Sequence, residues 1–210
     1  MQLLVILDNG HGGMINGEYQ TPGKRSPVWP DGSQLFEGIY NRQIVKEIAK
    51  GLAQFGIEYH ILVPEEEDIS LQERVKRVNN LCKVHGKDRK VILCSVHGNA
   101  AGSPDAKGFE VFTTPGQTHS DIIADIYASY CRLYFSEASK FRADKTDGDE
   151  DKEARFYIIT KTMCPAILTE NGFFTNQDEC RRMLTPLWVE LVARVHVQTF
   201  KEYSEKIKSI

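Results

Sequence analysis

The sequence lacks any apolar run long enough to cross a bilayer. Its longest, such as Leu3 to Leu7 and Val91 to Cys94, fall far short of the roughly 20 residues a spanning helix needs. Excess basic charge is missing too, with 26 Lys and Arg against 29 Asp and Glu and a net charge of -3. A duplex binder usually gathers a basic excess on one face, so neither a nucleic-acid partner nor membrane insertion is expected. Cysteines are few and unpatterned: Cys82, Cys94, Cys131, Cys164 and Cys180 form no CxxC and no paired framework. Such a set suggests reduced, buried thiols in a protein synthesised in the cytoplasm. Residues 1–10 carry no basic n-region and no small-residue cleavage site, so they read as a first strand and not as a signal peptide. Internal repeats and low-complexity tracts are lacking as well.

What remains is an ordinary globular composition. The 210 residues are 41% hydrophobic and 26% charged, which fits a single domain over residues 1–210 with a sizeable core. Short β-branched or apolar runs bounded by turn residues predict strands at Leu3 to Leu7, Ile57 to Val63, Val91 to Val96 and Ala166 to Thr169. Two further strands are predicted at Phe109 to Thr113 and Phe156 to Thr160. Helical periodicity covers Tyr40 to Phe55, where Ile44, Ile48, Leu52 and Phe55 share a stripe and Gly56 follows as a C-cap. Ser70 to Val84 opens with a Ser cap and Glu73. Ser120 to Phe135 and Leu187 to Tyr203 read the same way.

The resulting order, β-α-β-α-β-β-α-β-β-α-α, argues for an α/β fold. The expected architecture is a three-layer sandwich, with helices flanking a mostly parallel central sheet of about six strands. Near-continuous hydrophobicity in the strands fits burial on both faces. Two polar stretches exceed the usual loop length. Asn9 to Gln34 is rich in Gly and Pro and reads as a site loop. Arg142 to Glu153, strongly acidic, is either a solvated charge run or a gate over the cleft.

Polar residues recur where apolar strands end. The first strand runs into Asp8, Asn9, Gly10, His11 and Gly12; the third into His97, Gly98 and Asn99; the Ala166 strand into Glu170, Asn171 and Gly172. In a parallel sheet these carboxyl ends share one edge, where α/β proteins build ligand sites. Two imidazoles and a carboxylate converging there, plus a solvent molecule, would make a catalytic zinc shell. Each residue also has a plainer reading: a strand-end His is commonly a satisfied loop histidine, and Glu170 could cap a helix or pair with a cation. His60, His85, His119 and His196 read as structural or solvent-facing. On the residues alone a zinc hydrolase is favoured, and the third protein ligand stays open.

A resemblance narrows this. Leu7 to Gly13 resembles the LDPGHGG opening of the zinc-dependent N-acetylmuramoyl-L-alanine amidases of the amidase 3 family. Phe36 to Asn41 is similar to the short block in which a Glu precedes an Asn at the start of the first helix. Ser95 to Ala100 resembles the SxHxNA block, Lys107 to Phe112 the GxEv strand, and Met163 to Asn176 the PAvLvExGFxsN block. All five stand in family order and together span nearly the whole chain. The departures are Asn9 where Pro is usual, Gly98 where Ala is common, Asn171 after the Glu, and a long acidic connection. They remove no ligand and bear on specificity.

The resemblance implies that His11, Glu37 and His97 bind one Zn2+ per chain and that Glu170 is the catalytic carboxylate. Asp8 and Asn99 are candidates to orient a histidine or a substrate group. It further implies a phosphorylase/hydrolase-like fold and a peptidoglycan or muropeptide substrate. The bond cut would join N-acetylmuramic acid to the L-alanine of the stem peptide. A zinc peptidase acting elsewhere in the stem, or a catalytically inactive wall-binding module, are the rival readings. The protein is expected to be a monomer. It is expected to act on the cell wall after release or export, as a phage or prophage endolysin would.

Overall fold

The computed structural model describes residues 1–135, 140–146 and 148–208. Its central sheet has six strands in the order β4-β1-β5-β8-β6-β7. These are β1 (Gln2–Asn9), β4 (Glu58–Ile61), β5 (Arg89–Asn99), β6 (Phe109–Thr113), β7 (Lys152–Glu153) and β8 (Ala166–Phe173). Strands β4, β1, β5 and β8 run parallel, and β6 is antiparallel to β8. A separate two-stranded ribbon, β2 (Met14–Ile15) and β3 (Glu18–Tyr19), stands on the loop after β1.

Period-two alternation within β1 sorts its side chains between the two faces. Leu3, Val5 and Leu7 join one core with Ile44 and Ile48 of α1 (Glu37–Gln54), Ile123 and Tyr127 of α3 (His119–Tyr134), and Val192 and Val195 of α6 (Pro186–Lys208). Leu4 and Ile6 face the opposite way. They pack with Val75 and Val78 of α2 (Leu71–His85) and with Ile158 and Ile159 of α4 (Tyr157–Thr160). The three-layer α/β sandwich is therefore present as expected, with both faces of the parallel strands covered. Among the described residues no helix is long and apolar enough to cross a membrane.

Local signals explain the helix ends. The Ser70 side chain accepts a hydrogen bond from the Glu73 amide at the start of α2, and Thr118 and Asp121 form a reciprocal capping box on α3. Gly56 adopts φ 64° just past α1, a left-handed conformation that suits glycine.

Three features depart from the expected elements. Phe156 to Thr160 is a helical turn and not a strand: the Thr160 amide and hydroxyl both donate to the Phe156 carbonyl. Adjacent Ile158 and Ile159 are both buried against the α2 side; a strand would have sent them to opposite faces. The sixth strand is instead the short β7, which carries only charged residues and pairs with β6. Helix α1 begins at Glu37 and not at Tyr40, which changes what that glutamate can reach.

The acidic connection is tied into the sheet at both ends. Arg142 and Lys152 each approach Glu110 at 2.7 Å. Asp147, within that stretch, lies outside the described residues.

Candidate metal centre

The site stands at the carboxyl edge of the parallel strands. Strand β1 continues its pairing past Asn9 through the Gly10 amide, which donates to the Val96 carbonyl. The chain then turns at His11, whose φ of 70° is in the left-handed region. For a residue with a Cβ such a conformation costs on the order of 1–2 kcal/mol. It is held by Arg42 and Arg74, which donate to the His11 carbonyl at 2.9 and 3.1 Å. His97 lies in β5, next to an irregularity in the β5–β8 register between His97 and Asn99. Glu170, on β8, is the register partner of His97.

Glu37 supplies the link. As the first residue of α1 it sits at the positive end of the helix dipole, and its side chain is only 2% exposed. Its Oε1 lies 3.0 Å from His97 Nδ1 and 3.2 Å from His11 Nε2. The two rings meet edge to face with centroids 5.1 Å apart. One donor atom each from His11, Glu37 and His97 lie within 4.8 Å of one another, so the three could hold a metal ion. Glu37 Oε2 is sealed from solvent without a hydrogen-bond partner, the condition of a buried polar atom suited to a ligand. Two imidazole nitrogens and a carboxylate oxygen are the donor types of an open zinc site.

Electrostatics separates the two acids. Burial alone would raise Glu37, but hydrogen bonding and attraction from His11 and His97 prevail and hold it down at about 2. Burial would lower His97, and Glu37 outweighs it, so this imidazole is raised. Glu170 goes the other way. Burial first, then repulsion from Glu37 and Glu110, push it up to about 8 against the opposing pull of His97. Its Oε2 is sealed from solvent and has no hydrogen-bond partner. A carboxyl group tuned near neutrality can both take and give a proton.

The neighbouring residues have distinct partners. Asp8 accepts from the Ser95 hydroxyl at 2.6 Å and pairs with Arg74 at 2.5 Å. Asn99 donates to Glu110 at 2.8 Å, and Glu110 is the register partner of Glu170 on its other side. Asn171, buried between the elements, donates to the carbonyls of His97 and Thr169 and accepts from the Tyr127 hydroxyl. This fastens β8 to β5 beside Glu170. Arg74 was not singled out by motif, and Ser95 entered only as the first residue of the block around His97. A signal existed for Arg74, a cation beside the apolar stripe of α2, which here is 2% exposed.

Imidazoles and carboxylates clustered at the carboxyl edge of a mostly parallel three-layer sheet stand where α/β enzymes build ligand sites, and here they could hold a metal ion. Residues 5–200 match the family described as N-acetylmuramoyl-L-alanine amidase, and the chain belongs to that family. It is 25% identical over 198 residues to N-acetylmuramoyl-L-alanine amidase CwlM of Bacillus licheniformis, covering 91% of this chain and 65% of that protein. It is also 25% identical over 207 residues to the endolysin of Bacillus phage SPP1, covering 96% of this chain and 66% of that protein. The chain thus spans about two thirds of the length of these relatives. Among solved structures, the N-acetylmuramoyl-L-alanine amidase of Clostridium difficile 630 superposes with a TM-score of 0.77 at 25% identity, over 97% of both chains.

Proposed function

We propose that this domain hydrolyses the amide bond between N-acetylmuramic acid and L-alanine in peptidoglycan. In this reading His11, Glu37 and His97 hold one Zn2+ and Glu170 is the general base and acid. The observation that carries it is the convergence of His11 Nε2, Glu37 Oε1 and His97 Nδ1 next to the register partner of His97. Family membership supplies the substrate class.

An amide is a weak electrophile and neutral water a weak nucleophile. A divalent ion at the three donors supplies Lewis acidity, polarising a carbonyl and making water easier to deprotonate. Glu37, ionised far below neutrality, contributes negative charge and needs no proton removed before it ligates. Glu170 accepts the proton of the attacking water at its carboxylate and returns it to the leaving L-alanine nitrogen. A neighbouring cation favours the carboxylate form it needs for the first of these transfers. Asn99 acts at one remove, fixing Glu110 beside Glu170.

All four residues come from the same chain, so the proposed catalytic unit over residues 1–210 is complete within one protomer; a monomer that reaches the wall by release or export is the proposed form. Digestion of purified sacculi, with and without chelator, tests the function. The expected products are peptides with a free L-alanine amine and intact glycan strands, formed only without chelator. Fragments cut elsewhere in the stem would make the protein a peptidase. Sacculus binding without any cleavage would make it a wall-binding module.

A further inference from the structure

Behind His97 runs a chain of buried polar groups that the catalytic reading does not use. Arg74 reaches from α2 beneath the end of β1. Its guanidinium pairs with Asp8 Oδ1 at 2.5 Å and donates to the carbonyls of Asn9 at 3.0 Å, His11 at 3.1 Å and Ile69 at 2.8 Å. The other oxygen of Asp8 accepts from the Ser95 hydroxyl at 2.6 Å, and Ser95 Oγ lies 3.1 Å from His97 Nε2. Arg74, Asp8 and Ser95 are all essentially buried.

The donor and acceptor inventory admits one assignment along this chain. Arginine only donates, and an ionised aspartate only accepts. The single proton of Ser95 is therefore committed to Asp8, leaving its oxygen as an acceptor towards His97. Nε2 must then donate to Ser95, so that Nδ1, 3.0 Å from Glu37 Oε1, is the nitrogen left to offer a lone pair once a metal ion takes the place of the proton it shares with that carboxylate. Ring orientation follows from the same two contacts.

We propose that Ser95, fixed by the Asp8–Arg74 pair, is a positioning residue that sets the tautomer and ring rotation of His97 for binding metal through Nδ1. Arg74 is the common support of both histidine ligands. It reaches His97 through Asp8 and Ser95, and His11 through the backbone carbonyl that it grips. Partners of this kind behind a metal-bound imidazole typically contribute 10–100-fold in metal affinity. The inference rests on the metal reading above, and its test separates the two.

Ser95→Ala removes one oxygen from a buried position and leaves every ligand in place. Zinc affinity is measured by competition with a chromophoric chelator. The nitrogen that binds zinc is read by 15N NMR of histidine-labelled, zinc-loaded protein, and the melting temperature of the metal-free form is the folding control. Expected are zinc on Nδ1 and a proton on Nε2 of His97 in the unaltered protein. Ser95→Ala should show an affinity loss of about 10–100-fold, with a much smaller change in the metal-free melting temperature. Zinc on Nε2 of His97 in the unaltered protein overturns the proposal without recourse to any variant. Unchanged affinity in a folded Ser95→Ala protein overturns it while leaving the metal reading intact. Failure of the unaltered protein to bind zinc overturns both.

Discussion

Gly10 and the imidazole of His97 occupy adjoining space: a Cβ built on Gly10 would lie far inside van der Waals contact with all of Cε1, Nε2 and Nδ1 of that ring. The absence of a side chain at position 10 is what lets β1 pass close enough for His11 and His97 to share Glu37. Gly10→Ala should therefore push the His97 ring aside. Displacement of a catalytic group by about 1 Å can cost on the order of 100-fold in rate. The expected outcome is a loss of that order in turnover of muropeptides, together with weakened zinc binding. Wild-type values for both would show that the ring has room to spare.

Glu170 and the metal donors should be separable. Glu170→Gln keeps the shape and all three donors, so zinc content measured on the purified variant should stay near one per chain. Activity should fall by about 10²–10⁴-fold, the usual contribution of a positioned acid–base group. His97→Ala should lose both metal and activity. Full activity in Glu170→Gln would remove that residue from the chemistry.

Acid stability should carry the signature of His196, which is fully buried and is not one of the metal donors. Its Nδ1 faces the Val192 carbonyl at 2.8 Å, which can only accept, so Nδ1 carries the proton. Nε2 then accepts from the Thr169 hydroxyl at 3.0 Å. Burial holds this neutral imidazole down at about 4, whereas an unfolded histidine titrates near 6.5. Between these values the unfolded chain binds a proton that the folded chain refuses, so stability falls as pH drops through the window. The loss is about 1.4 kcal/mol per pH unit, roughly 3 kcal/mol in all. Urea unfolding at pH 7 and pH 4.5 should show a steeper decline for the unaltered protein than for His196→Leu. Identical slopes would mean that His196 is charged in the fold.

Arg74→Met tests the buried pair with Asp8. It leaves Asp8 uncompensated, and breaking a buried pair from one side costs about 3–5 kcal/mol. Substituting both partners, Asp8→Leu with Arg74→Met, should recover part of that loss in equilibrium unfolding without restoring zinc affinity. A single variant as stable as the unaltered chain would show the pair to be dispensable.

Much of the sandwich was legible because its strands are apolar on both faces, and such runs end abruptly at polar residues. His11, His97 and Glu170 could be placed at one edge from that alone. Glu37 could not, because its position depends on the path of the long loop before α1 and on a helix start three residues earlier than the apolar stripe suggested. Only the resemblance pointed to it. Phe156 to Thr160 misled because β-branched residues favour strands, yet burying two adjacent isoleucines in one core outweighs that preference. The charged β7 left no hydrophobic trace, since it is an edge strand of two residues joined through backbone hydrogen bonds.

The three proposed donors belong to a loop, a helix start and a strand that lie far apart along the chain, Glu37 and His97 being 60 residues apart. An ion shared among them would act as a removable clasp on the N-terminal half. Loading would then stabilise the fold in proportion to the logarithm of free metal, by about 2.7 kcal/mol at a hundredfold excess over the dissociation constant. Chelation would release the long excursion between β1 and α1 first, offering proteases a cut there while the remainder of the sheet stays whole.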